Sequence, residues 1–200
     1  EDLEGAILSS VVPPLNAVIT EAVRKVTGLS CKLVGAGMKT GMNIRMDDPK
    51  HIGSDLIVDS VAAKANYPLP IIVIDMGTAT SITALDQNGD YVGGIIHPGL
   101  RVSLNTLSGS TAQLPSIDLE SPGRALAKNT IEAMQSGILY GTAGMLDGII
   151  ARMEAELGSK ATIVATGGLA RFVTPLCSHR IEIDDLLLLK GLLILYRKNS

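Results

Sequence analysis

The residues of this chain with the most chemistry in their spacing run from Ile71 to Gly99. The order is Ile71-Ile-Val-Ile-Asp-Met-Gly-Thr-Ala-Thr80, alternating residues, Asn88-Gly89, then Gly93-Gly-Ile-Ile-His-Pro-Gly99. An apolar run ends in an acid and a glycine, and two threonine hydroxyls follow. Gly77 lets a backbone approach a ligand with no Cβ in the way. Thr78 and Thr80 offer hydroxyls to phosphate oxygens, and successive amides at such a turn form an anion nest. Asp75, at the strand end, is placed to hold a cation near those phosphates. The competing reading is an ordinary hairpin with threonines in favourable strand positions, and the short motif alone does not choose. Thr166-Gly167-Gly168, after Thr162-Ile-Val-Ala, is a second strand end without side chains, against which a base or sugar can lie.

Asp55 follows Gly53-Ser54 at a predicted helix start. A carboxylate there either takes the proton of a substrate hydroxyl as general base or caps the helix, and position alone favours the cap. His51 and His97 lie near loops with no partner at ligand spacing, so they read as solvated or structural. Asp184-Asp185 reads as the N-cap of the last helix.

These residues need elements to hold them. Residues 6–12 read as a strand stopped by Pro13-Pro14, and 15–27 carry apolar residues at helical spacing. A short strand follows at 31–34, then a glycine-containing loop to Gly41 and a helix over 54–66. Pro68 and Pro70 mark a boundary between residues 1–68 and 69–200. Strands at 71–76, 80–86 and 91–96 form a meander, with Asn88-Gly89 predicting a type I′ turn. A short helix follows Gly99. A long helix over 129–157 ends at Gly158, a strand at 161–166 reaches Gly167-Gly168, and a final helix covers 186–197. The long helix places Gly137, Gly141, Gly144 and Gly148 on one face. Close packing on its own sheet and a subunit interface explain that face equally well.

Composition narrows the function. The 200 residues are 46% hydrophobic and 18% charged, with no Trp, one Phe and four Tyr, so the core is aliphatic and globular. Stacking of successive nucleic-acid bases on aromatic side chains is excluded. A net charge of −3 provides no basic footprint for nucleic acid or a membrane surface. No apolar run is long enough to span a bilayer. Cys31 and Cys177 stand alone, which fits a reducing, cytoplasmic setting.

Taken together, Asp75-Met-Gly-Thr-Ala-Thr80, Gly93-Gly-Ile-Ile-His-Pro-Gly99, Thr111-Ala-Gln-Leu-Pro115, Asn129-Thr-Ile-Glu-Ala-Met-Gln-Ser-Gly137 and Ala165-Thr-Gly-Gly168 resemble the type III pantothenate kinase family. Lys39-Thr-Gly-Met-Asn43 and the ending Gly191-Leu-Leu-Ile-Leu-Tyr-Arg-Lys-Asn199 do so too. The resemblance implies an α/β, RNase H-like (actin-like ATPase) fold with mixed sheets in two domains, the first lacking its opening strands. It implies a homodimer that phosphorylates pantothenate with ATP, the first step towards coenzyme A. It also implies a monovalent cation, potassium or ammonium, and a divalent metal such as magnesium. Carried over by position, Asp55 is the base, and Met46, Gly53, Ser54, Leu56 and Thr130 line the pantothenate. Asp75 binds the monovalent cation, while Gly77, Thr78, Thr80, Gly167 and Gly168 hold the nucleotide. The chain departs from the family in three ways. It contains no Asp-x-Gly-Asn-Thr phosphate loop, Leu56 stands where an arginine is expected, and Met46 stands where a tyrosine is usual. A weakened or regulatory nucleotide-binding homologue, and a fragment dependent on a partner chain, are the rival readings.

Overall fold

The computed structural model describes residues 3–200. The elements are β1 (Ala6–Leu8), α1 (Pro13–Thr27), β2 (Cys31–Leu33), α2 (Ser54–Asn66), β3 (Ile71–Met76), β4 (Ala79–Leu85) and β5 (Tyr91–Pro98). They continue with α3 (Leu100–Gly109), α4 (Thr130–Leu157), β6 (Thr162–Thr166), α5 (Ala170–Val173), β7 (Glu182–Ile183) and α6 (Leu187–Lys198). β1 and β2 form a parallel pair, and the larger sheet is mixed, in the order β5-β4-β3-β6-β7.

β3 sits at the centre because it is apolar on both faces, as a strand covered from both sides must be. Ile72, Ile74 and Met76 point to a cluster with Leu139, Ala143, Leu146 and Ile150 of α4. Ile71 and Val73 point the other way, to Ile57, Ala62 and Ala63 of α2. Every residue from Ile57 to Ala63 is buried, so α2 is a core helix without a polar face. Its far side is covered by α6, which crosses where Gly191 lies on the Val58 carbonyl; a Cβ at residue 191 would run into that oxygen. Asn199, just past α6, accepts from the Lys39 N–H (2.9 Å) and, through its own carbonyl, from Lys32 Nζ (2.6 Å).

Several local expectations are corrected. β1 stops at Leu8, and α1 begins at Pro13, since proline fits the first helical turn, where an N–H would be unpaired anyway. Asn88-Gly89 does not form a type I′ turn, because that turn needs positive φ at both positions and of the two only Gly89 (φ 72°) has it. The Asp86 carboxylate decides this by accepting from the N–H groups of Asn88 (2.9 Å) and Asp90 (3.0 Å), with a register shift at Ala84/Leu85. At the last helix Asp184 does bond the Leu186 N–H (3.1 Å), but it also takes Lys190 (2.6 Å) and Tyr67 (3.0 Å). α5 and β7 are additions that no local sequence pattern announces. The glycine face of α4 lies opposite its Leu139–Ile150 stripe, and Cβ atoms at Gly137, Gly141 and Gly144 would meet nothing within 4 Å. Packing on its own sheet is therefore excluded as the reason for those glycines.

Candidate active site

β3 and β6 run parallel with Asp75 beside Thr166, so both strands deliver their glycines to one rim of the sheet. The chain turns at Gly77-Thr78, and β5 returns along β4 to the same rim. There the Gly99 N–H donates to the Thr78 carbonyl (3.0 Å). A Cβ at Gly99 would strike the carbonyls of Gly77 and Thr78, so only glycine lets α3 begin there. Gly167 has φ +91°, and a Cβ on it would lie 2.6 Å from the Met76 carbonyl oxygen. Gly77, Thr78 and Gly168 are exposed. Three main-chain segments without bulk thus meet at the carboxyl ends of parallel strands, where ligands of open α/β sheets bind. Thr80 is the exception among the expected nucleotide residues. It is 1% exposed and pairs with Met76, so its side chain is buried on the α4 face of the sheet rather than open at the rim.

The acids lie on the other side. Asp75 pairs with Ser81 on β4 and with Thr166 on β6, on the face that looks towards α2. Asp55 and Asp59 stand one turn apart on α2. The Asp55 charge acts on Asp75, and the charges of both act on Asp59. Burial raises the Asp75 carboxyl above its ordinary range, and the Asp55 charge adds to the rise. Burial, then the charges of Asp75, Asp55 and Asp184, push Asp59 up to about 8. Tyr91, at the start of β5, is pushed to about 12 by burial and then by Asp55. Sequence reasoning missed Asp59, although its i+4 spacing from Asp55 was there to be read.

The Asp55 carboxylate makes no helix cap. Gly53 occupies the cap position without a side-chain bond, and Asp55 Oδ1 accepts only the Leu56 N–H (2.9 Å). Ser54 turns away, bonding Ser9 Oγ (2.8 Å) and the Ser10 carbonyl (3.2 Å), which fixes the start of α2 to the loop after β1. Met46 is 37% exposed. It follows a segment pinned to β5 by Asn43–Tyr91 and Arg45–Tyr91 backbone bonds (2.9 and 2.8 Å) and by the Arg45–Asp90 ion pair (2.6 Å). Leu56 is half-buried beside Gly53. Thr130 is exposed at the start of α4, behind the Asn129 cap, and no hydrogen bond links it to the α2 acids. His51 pairs with Asp48 on the surface (2.7 Å), and His97 is half-buried with its Nδ1 beside the Pro98 carbonyl (2.8 Å).

Among the described residues no ion pair reaches Asp55, Asp59 or Asp75. Asp59 Oδ1 is buried without a hydrogen-bond partner. Buried carboxylates without a countercharge are costly unless a proton or a cation joins them, so these residues fit a bound cation. Among the described residues no three His, Cys, Asp or Glu side chains group to hold a metal by themselves. A cation here must also use neutral oxygens or those of a ligand. No described helix is long and apolar enough to cross a membrane.

This mixed sheet, covered by helices on both faces, has the RNase H-like, actin-like ATPase fold. The same fold covers this whole chain in a Baf family transcriptional activator from Campylobacter jejuni (TM-score 0.67, 16% identity, 85% of that chain). It recurs in the ADPNP-bound activator of the 2-hydroxyisocaproyl-CoA dehydratase from Clostridium difficile (TM-score 0.51, 18% identity, 92% of this chain and 80% of that one). The chain belongs to the type III pantothenate kinase family, whose model matches residues 1–152. The type III pantothenate kinase of Moorella thermoacetica is 44% identical over 200 residues, covering all of this chain and 79% of the relative. That of Listeria monocytogenes is 42% identical over 199 residues and is covered to 77%.

Proposed function

We infer that this chain catalyses ATP-dependent phosphorylation of pantothenate, with Asp55 as the base. The observation that supports the residue assignment is that the charge of Asp55 acts on Asp75, two residues before Gly77. The Gly77, Thr78, Gly99 and Gly167-Gly168 backbone cradles the nucleotide, and Asp55 accepts the proton of the pantothenate hydroxyl. Phosphoryl transfer passes through a loose transition state, so positioning and charge neutralisation supply most of the rate. When bound, a monovalent cation at Asp75 and magnesium carried with ATP offset the charge of phosphates and acids. Gly53, Leu56 and Met46 border the acceptor side. Turnover of ATP with pantothenate, followed as ADP release and product mass, tests the reading. ATP binding without turnover favours the regulatory homologue.

Two expectations follow from particular residues. Leu56 offers no charge to a substrate carboxylate, whereas arginine pairs with one bidentately. Leu56→Arg therefore lowers the KM for pantothenate by about tenfold, a gain of ~1.4 kcal/mol, with the ATP KM unchanged; an unaltered pantothenate KM in a folded variant removes Leu56 from the acceptor site.

The outward glycine face of α4 suits a second copy of the chain, whose Thr130 then reaches towards the acceptor site. Gly141→Trp, at a position with open space within the chain, converts the dimer to monomer in light scattering while the melting temperature stays within a few degrees. A dimer unaffected by Gly141→Trp and Gly144→Trp locates the contact elsewhere.

A further inference from the structure

We propose that Asp59 is a second protein ligand of the monovalent cation, so that one ion is shared by Asp59 on α2 and Asp75 on β3. The inference rests on the kinase reading for what the ion serves, but its geometry is independent of it. Asp59 is 2% exposed, and its Oδ1 has no hydrogen-bond partner. It stands one turn before Ala62 and Ala63, which pack with Ile71 and Val73 on the β3 face that also carries Asp75, and the charges of Asp75 and of Asp55, one turn earlier on α2, act on it. The nearby cations are committed elsewhere: Lys190 to Asp184 (2.6 Å), Arg45 to Asp90 (2.6 Å), and Lys64 to the Gly41 carbonyl (3.1 Å). Ser81 and Thr166, 8% and 6% exposed, flank Asp75 on the same face and add neutral oxygens. Two carboxylates with hydroxyl and carbonyl oxygens suit potassium, which takes neutral oxygen ligands readily. A fully dehydrated magnesium site would need near-ideal octahedral geometry. The arrangement also links the base to the ion, since Asp55 and Asp59 share one helix and a cation at Asp59 fixes that helix against β3.

The test is thermal unfolding of the whole chain without nucleotide, in potassium chloride and in choline chloride at matched ionic strength. The wild-type chain melts at least ~3 °C higher in potassium, because an ion that binds only the folded state stabilises it. Asp59→Asn loses that potassium-specific rise, whereas Asp118→Asn, on the exposed loop before α4, keeps it. A wild type without the rise overturns the proposal, and so does an Asp59→Asn variant that retains it. Should Asp59→Asn fail to melt cooperatively, Asp59→Ser is read the same way. Thallous-ion NMR on the wild type then provides the direct measurement, and no saturable site overturns the proposal. Turnover measured alongside separates the two failures. A turning-over enzyme whose Asp59→Asn variant keeps the potassium response sinks only the Asp59 assignment. A potassium response lost in Asp59→Asn, with no turnover by the wild type, sinks only the kinase reading.

Discussion

Asp55→Asn lowers kcat for pantothenate phosphorylation by about 10²–10⁴-fold, or roughly 3–5 kcal/mol of barrier, while the affinity for ATP stays within a few-fold. The size follows from what asparagine retains. It keeps the shape and the oxygen that meets the Leu56 N–H, so α2 starts unchanged, but it cannot take a proton. The nucleotide cradle we propose is main chain at Gly77, Gly99 and Gly167, untouched by the substitution. Residual turnover reports what positioning alone achieves. Steady-state kinetics with separate titration of each substrate checks this. An Asp55→Asn enzyme within tenfold of wild type would remove Asp55 from the proton transfer, and so would a loss confined to the ATP KM.

The second large effect concerns stability against pH. The Asp59 carboxyl rises from an ordinary 3.8 to about 8 on folding, through burial first and then through Asp75, Asp55 and Asp184. Lys190 offsets part of the Asp184 charge by pairing with it. A folded-state pKa above the unfolded one means that the native chain holds the proton more tightly. The associated stability is complete below pH 4, drains away between about pH 4 and pH 8, and is absent above that window. A tenfold difference in proton affinity between the folded and unfolded chains is worth about 1.4 kcal/mol, and the rise from 3.8 to about 8 spans roughly four such factors, so Asp59→Asn gains on the order of 6 kcal/mol over wild type by pH 9. Near pH 4 the two are alike. Urea unfolding across this range, in buffers without alkali cations, measures the difference. Asp75, also raised, leaves a shallower slope in the variant. Parallel wild-type and Asp59→Asn profiles would mean that the native site already supplies Asp59 with a partner.

The sequence displayed the parts of this site that obey a local rule. β3 was legible as an apolar run ending in an acid and a glycine, and α4 from glycines at helical spacing in a long segment that stops at Gly158. The glycines at 77, 99, 167 and 168 lay in recognisable strings, although their meeting at one rim depends on the parallel pairing of β3 and β6. What stayed hidden came from distant contacts or side-chain competition. Asp86 captured the amides that an Asn-Gly turn would have left free. Thr80 differs from Thr78 because it is buried within β4 opposite Met76, whereas Thr78 lies in the exposed turn. Asp59 looked like an ordinary helix residue, since nothing local says that its face is covered by β3 and α6.

The crossing of α6 over α2 at Gly191 bears on how the protein is made. The helix that carries Asp55 is shielded on its outer side by residues that leave the ribosome some 130 positions after it, by the numbering of Val58 and Gly191. Until then α2 has one bare apolar flank. Catalytic competence therefore arrives late in synthesis, and chains cut short before residue 187 should be targets for chaperones and proteases rather than slow kinases.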